Sequence, residues 1–192
     1  EILLSKYRKI SPKPGSNIYL TIDLDLQQAT EKAFSGQVGA VVVLSTDGSI
    51  LAMASFPSFD PNKVSGALAK EEKHQLDEHP LKPWVNRVIQ GQYAPGSTFK
   101  LVTALAALEQ KATSVSEKIL CPGFFKMGNH TWRCHRERGH GMVNLVDAIR
   151  VSCDTYFYAM AARIGIDPIA KIGRSLGIGT RTKILLRGEQ PA

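Results

Sequence analysis

The sequence predicts an α+β domain in which helices pack on an antiparallel sheet, and three observations carry that expectation. Two apolar runs, Gly39 to Leu44 and Ser49 to Ala54, are joined through Asp47-Gly48, residue types that tolerate the positive φ angles of a tight hairpin turn. The longest helical patterns, from Ser97 to Glu109 and from Asn144 to Ile164, come later in the chain. Strands and helices do not alternate as they would in a parallel βαβ fold.

Taken in order, Asn17 to Thr21 alternates as a strand. Asp23 is placed to cap a helix whose Leu26, Ala29, Ala33 and Phe34 form one apolar face, and Gly36 stops it. The hairpin follows. Ala67 to Glu78 reads as a charged, exposed helix, and Lys82 to Gln92 leads into the helix opened by Ser97. Cys121 to Gly141, rich in Cys, His and Gly, reads as a loop; Asn144 to Ile164 as one long helix; Asp167 to Leu176 as a short one.

With 192 residues and 43% hydrophobic content, the chain is long enough for one ordinary core and reads as a single globular unit. It contains no uninterrupted apolar stretch of about 18 residues and no basic-then-apolar leader, so the piece itself is expected to be soluble. The net charge of +7 fits nucleic acid, an anionic surface or a substrate ending in a carboxylate. The basic residues are scattered apart from Lys6 to Lys13 and Arg133 to Arg138, which argues against nucleic acid. Trp84 and Trp132 read as packing or groove residues, and His74 and His79 as solvated.

The chemistry concentrates at Ser97-Thr98-Phe99-Lys100. Residues three apart on a helix share a face, so the lysine amine can reach the serine hydroxyl. Ala94-Pro95-Gly96 ends an extended approach and Ser97 opens the helix, where the dipole and unpaired N–H groups favour negative charge on the serine oxygen. The helix body FKLVTALAALE is apolar on nearly every face and is expected to be buried. Burial disfavours a charged ammonium, which suits a lysine acting as general base to a weak hydroxyl nucleophile. The plain alternative is a helix-capping serine followed by a surface lysine.

Around this motif, NRVIQGQYAPGSTFKLVTALAALE (Asn86 to Glu109) resembles the active-site block of the penicillin-binding transpeptidases. GSNIYLTIDLDLQQATEKAF (Gly15 to Phe34) is similar to that family's domain entry, and GAVVVLSTDGSILAMASFPSFDPN (Gly39 to Asn62) to its first hairpin. VSCDTYFYAMAARIGID (Val151 to Asp167) resembles the segment bearing its second motif. The likeness is greatest to the cell-elongation type, the penicillin-binding protein 2 group.

The resemblance implies a partial transpeptidase domain over 1–192: an entry segment 1–16, strand, helix and hairpin over 17–62, and a helical part over 94–175. A membrane helix and pedestal would belong to a longer protein. It implies Ser97 as nucleophile, Lys100 as base, and Ser152 of Ser152-Cys153-Asp154 as proton relay. Asp154 stands where the family has an Asn that binds the substrate amide. An ionised aspartate only accepts hydrogen bonds, so the donor half of that recognition is lost. The family's third motif, Lys-Thr/Ser-Gly, does not occur. Thr182-Lys183 imitates it poorly, and the chain is expected to stop about halfway through the domain, structured but catalytically incomplete.

Cys121, Cys134, His140 and Cys153 form the other constellation. Three cysteines cannot all pair within one chain, and three Cys with one His make a complete tetrahedral zinc shell. Spacings of twelve, five and twelve residues match no common finger, leaving zinc, a Cys121–Cys134 disulfide and buried thiols open; His130 and His135 are substitutes for His140. The resemblance favours zinc, because some elongation-type relatives carry one beside the active site with a ligand inside the second motif. At Cys153 it would anchor the turn that aims Ser152.

Functionally, the resemblance implies a periplasmic, inner-membrane-anchored D,D-transpeptidase that cross-links peptidoglycan stem peptides through a serine acyl-enzyme and is inhibited by β-lactams. Its partner would be a glycosyltransferase of the shape, elongation, division and sporulation type, with no nucleic acid. The alternatives are a serine β-lactamase or penicillin-sensor domain, or a zinc-stapled basic binding module.

Overall fold

The computed structural model describes residues 13–66, 68–184 and 186–191 of the chain. Most of the entry segment, the basic run from Lys6, and Ala67, the first residue of the expected charged helix, lie outside the described residues. The chain is built of two compact units, residues 1–88 and 89–192.

In the first unit, Asp23 accepts a hydrogen bond from Leu26 N at 2.9 Å and so caps helix α1 (Leu24–Ala33). The hairpin of β1 (Gly39–Leu44) and β2 (Ile50–Phe56) is antiparallel, pairing Gly39 with Phe56 and shifting register between Val43 and Leu44. Helix α1 lies along β2: Gln27 Oε1 accepts from Met53 N at 2.8 Å, its Nε2 donates to Met53 O at 3.0 Å, and Phe34 stacks on Phe56 at 4.4 Å. Short helices α2 (Pro61–Val64) and α3 (Lys70–Asp77) follow, and Trp84 packs against Phe59 while its indole N–H donates to Asp77. The strand expected over 17–21 does not form. Ile18, Tyr19 and Leu20 are exposed, and the segment has no neighbouring strand among the described residues with which to exchange backbone hydrogen bonds.

A helical turn, α4 (Arg87–Gln90), leads into the second unit, where a 3-10 turn (Gly96–Phe99) runs directly into α5 (Lys100–Glu109). Val102, Thr103, Ala104, Ala106 and Ala107 are buried, yet Leu101 and Leu105 are 53% and 48% exposed. The expected all-round burial is therefore half right: α5 packs on α7 (Asp154–Ile164) and α8 (Ile166–Ser175) with one face only.

The supposed loop between Cys121 and Gly141 contains two antiparallel ribbons: β3 (Ile119–Cys121) with β6 (Gly141–Val143), and β4 (Phe124–Met127) with β5 (His130–Arg133). The signal was present, since Gly128-Asn129 between apolar and aromatic residues is a two-residue hairpin connection. Gly123 and Gly139 allow the ribbons to meet. A Cβ on Gly123 would sit 2.0 Å from Glu137 O, and one on Gly139 would sit 2.1 Å from Cys121 O.

The expected long helix from 144 to 164 is two helices, α6 (Leu145–Arg150) and α7. Ser152, with φ of 49°, takes the left-handed position that glycine usually fills at a helix end. Cys153 N donates to Ala148 O at 2.8 Å and Ser152 N to Ile149 O at 3.1 Å, the paired closure of a Schellman motif. The core of this unit joins Ala104, Ala107, Leu145, Tyr156, Phe157 and Met160 with all three cysteines. Burying a side chain the size of Met160 contributes about 1.5–3 kcal/mol.

Candidate active site

Ser97 projects from the 3-10 turn with its hydroxyl exposed and caps no helix, which removes the plain alternative for it. Its partner is Ser152 Oγ, 2.8 Å away. Lys100, 14% exposed, lies at the start of α5, and its Nζ reaches three oxygens: Ser152 Oγ and Ser152 O, each at 2.8 Å, and Asp154 Oδ1 at 2.6 Å. It also lies 5.8 Å from the Phe157 ring centroid. The lysine thus reaches Ser97 through Ser152, not directly as three-residue spacing suggests, and it sits in a cage of acceptors, not an apolar sleeve.

The left-handed turn explains the geometry. Had the helix run straight through 144–164, Ser152 and Cys153 would be ordinary helical positions. The break points Ser152 Oγ at Ser97 and Lys100, while Cys153, fully buried, faces the core. A non-glycine residue held at positive φ costs on the order of 1 kcal/mol, a strain found where function demands a particular side-chain direction.

Asp154, the first residue of α7, has both carboxylate oxygens engaged: Oδ1 by Lys100, and Oδ2 by the backbone N–H of His135 at 3.0 Å and its ring Nδ1 at 3.2 Å. Burial would raise this carboxyl, but the hydrogen bonds from Lys100 and from His135 outweigh it and hold it at about 2, below its ordinary 3.8. Read from sequence as a substrate-amide contact, Asp154 is here spent on Lys100 and His135. From sequence His135 reads only as a substitute metal ligand, and nothing in its local sequence marks it as a carboxylate partner.

The sign of the resulting pH dependence follows from the lowered value. The stabilisation is fully present above the unfolded carboxyl's range near 3.8 and is lost as pH falls toward 2. It is worth on the order of 2 kcal/mol. Thermal melts of wild type and Asp154→Asn between pH 6 and pH 2 check this. Wild type should lose more stability than the variant below pH 4, and parallel profiles would remove the ion pair from the account.

The four residues weighed as zinc ligands come together. The sulfurs of Cys121, Cys134 and Cys153 and a ring nitrogen of His140 all lie within 4.8 Å of one another, and all three cysteines are free thiols, so the Cys121–Cys134 disulfide is not formed. His140 Nδ1 is 3.6 Å from both Cys121 Sγ and Cys134 Sγ. A tetrahedral zinc with its usual bond lengths would separate sulfur and nitrogen ligands by about 3.6 Å, so the donor set fits that ion. The thiols are unlike one another. Burial raises Cys121, but the Thr155 hydroxyl, then the backbone and ring of His140, bring it down to about 6, whereas burial and then the adjacent Cys121 push Cys153 up to about 12. Among the described residues a second possible group, Cys134, His135 and Asp154, shares one sulfur with the first; His130 belongs to neither.

Residues 38–192 match the penicillin binding protein transpeptidase domain model. The peptidoglycan D,D-transpeptidase MrdA of Acinetobacter baumannii is 36% identical over 181 residues, covering 93% of this chain and 27% of that protein. Among solved structures, Pseudomonas aeruginosa PBP2 in complex with WCK 5153 superposes with a TM-score of 0.88 at 36% identity, over 93% of this chain and 41% of that one. Helicobacter pylori PBP2, in its complex with MreC, gives 0.84 at 32% identity, over 88% and 32%. The chain therefore spans under half the length of the relatives it matches.

Proposed function

This chain belongs to the penicillin-binding protein transpeptidase family, and from that premise we propose that it carries the acylation machinery of a peptidoglycan D,D-transpeptidase of the elongation type. The observation that supports this most is the unbroken run Ser97, Ser152, Lys100, Asp154, each link 2.8 Å or shorter. Ser97 Oγ attacks the carbonyl carbon of the penultimate D-alanine of a donor stem peptide. Its proton passes to Ser152 Oγ as Ser152 hands its own to the Lys100 amine. The C–N bond then breaks, and the departing D-alanine nitrogen takes a proton back by the same route. The amine of a neighbouring stem attacks the acyl-Ser97 ester, forming the cross-link and freeing the serine. A β-lactam, whose strained amide imitates the D-Ala-D-Ala end, stops at the acyl-enzyme.

Cys121, Cys134, His140 and Cys153 would hold a zinc ion that neutralises thiolate charge and ties the two ribbons to the turn before α7. In the relatives' longer chains the domain would stand in the periplasm on an inner-membrane anchor, although no described helix here is long and apolar enough to cross a membrane. The H. pylori complex with MreC, and a related peptidoglycan synthase complex that coordinates polymerization with crosslinking, support an elongation-machinery glycosyltransferase as partner.

Fluorescent penicillin added to the protein, in a chain of its relatives' length, tests the assignment. Labelling should disappear in Ser97→Ala and survive in Thr98→Ala. A Ser97→Ala variant that labels as well as wild type would end the proposal.

A further inference from the structure

We propose that His135 is a positioning residue, clamping Asp154 and through it orienting Lys100 toward Ser152 and Ser97. What the lysine is for rests on the transpeptidase reading; the clamp does not.

A carboxylate held by one ion-pair contact still swings about its last side-chain bond, whose torsional wells are broad. Lys100 occupies only Oδ1 of Asp154. His135 places two donors on the other oxygen, its backbone N–H at 3.0 Å and ring Nδ1 at 3.2 Å, and so fixes the carboxylate plane. The carboxylate accepts only, so Nδ1 carries the hydrogen in this contact.

His135 is itself held by what precedes it. Cys134 N donates to Gly123 O at 2.8 Å, and the Cys134 side chain is 3% exposed inside the thiol cluster. Cys134 Sγ is 3.9 Å from His135 Nδ1 and closer, at 3.6 Å, to His140 Nδ1, so the neighbouring histidine takes the sulfur and leaves His135 to the carboxylate. The cluster of Cys121, Cys134, His140 and Cys153 thereby grips both ends of the catalytic turn: Cys153 precedes Asp154 in the chain, and Cys134 presents the histidine that locks it. The imidazole is 56% exposed, so its removal opens no cavity in the core.

His135→Ala keeps the backbone donor and loses the ring donor; His135→Asn restores a side-chain N–H on a short stem. Three measurements on wild type and both variants, in a chain of the relatives' length, decide the matter. These are the limiting penicillin acylation rate with its half-saturating concentration, the rate at which an amine-reactive ester acetylates Lys100 by peptide mass spectrometry, and the metal content.

In His135→Ala the limiting acylation rate should fall about 10-fold, the loss of one charge-assisted hydrogen bond, with half-saturation moving less than about 2-fold. Lys100 acetylation should rise about 5-fold as its partner loosens. Asn should recover most of both effects, and metal content should stay constant. The clamp is overturned if Ala changes neither rate, if Asn does no better than Ala, or if metal is lost with the ring, which would make His135 a ligand. Should wild type take no penicillin at all, the transpeptidase reading fails, and the Lys100 acetylation rates still decide the clamp.

Discussion

Replacing Lys100 with methionine is expected to slow acylation of Ser97 by about 10³-fold, the scale of losing a positioned general base together with its relay. Among the described residues Ser97 has no other base within reach: its hydroxyl bonds Ser152 Oγ, which in turn meets Lys100 Nζ at 2.8 Å. Methionine matches the length of the stem and removes the nitrogen, leaving Asp154 Oδ1 and the Ser152 carbonyl without their donor. Lys100→Arg separates two explanations. It keeps a positive charge beside Asp154 but cannot give up a proton in this range. If the lysine acts as base, arginine should be nearly as inactive as methionine. If it supplies only field, arginine should retain a large share of the rate. Stopped-flow acylation with a chromogenic cephalosporin reads both, and arginine within about 10-fold of wild type would exclude the base role.

Cys153→Ser is expected to abolish metal binding and lower the melting temperature by on the order of 10 °C, since metal-binding energy at such a site is folding energy. The residue is fully buried and shares the core with Tyr156 and Met160, so a free thiol could also be explained as packing. Metal stoichiometry separates the readings. One equivalent of zinc in wild type and none in the variant, with chelator lowering the wild-type melting point to the variant's, is the expected result. A metal-free wild type whose stability chelator leaves unchanged would reduce Cys121, Cys134, His140 and Cys153 to a buried thiol cluster. Because Ser152 precedes Cys153, acylation should also slow as the turn loosens.

Much of this could be read from the sequence because it rests on local rules. Asp23 announces a helix N-terminus by its side-chain chemistry, and Asp47-Gly48 announces a hairpin by its backbone tolerance. Ser97 and Lys100 can be paired from their three-residue spacing, although the link between them runs through Ser152. The four metal-ligand candidates, His140 among them, could be grouped by residue type, but that His140 and neither His130 nor His135 joins all three sulfurs is visible only in the fold.

What escaped lies in tertiary context. The break between α6 and α7 is invisible because a serine, not a glycine, occupies the left-handed position, held there by the closing hydrogen bonds to Ala148 and Ile149. With the break unseen, Ser152 could be given its relay role only by resemblance. The contacts of Asp154 with Lys100 and His135 span 54 and 19 residues, beyond any periodic pattern. The apolar sequence of α5 promised complete burial, but hydropathy cannot tell which faces find a neighbour. Leu101 and Leu105 stay about half exposed.

The most direct test of the central claim is to treat the protein, in a chain of its relatives' length, with excess benzylpenicillin, digest it, and locate the added mass by tandem mass spectrometry over several hours. The account predicts one equivalent on the peptide containing Ala94 to Lys100, attached at Ser97 and persisting throughout. An adduct that turns over within minutes to hydrolysed penicillin would make the site a β-lactamase, and an adduct on any other residue would contradict Ser97 as the nucleophile.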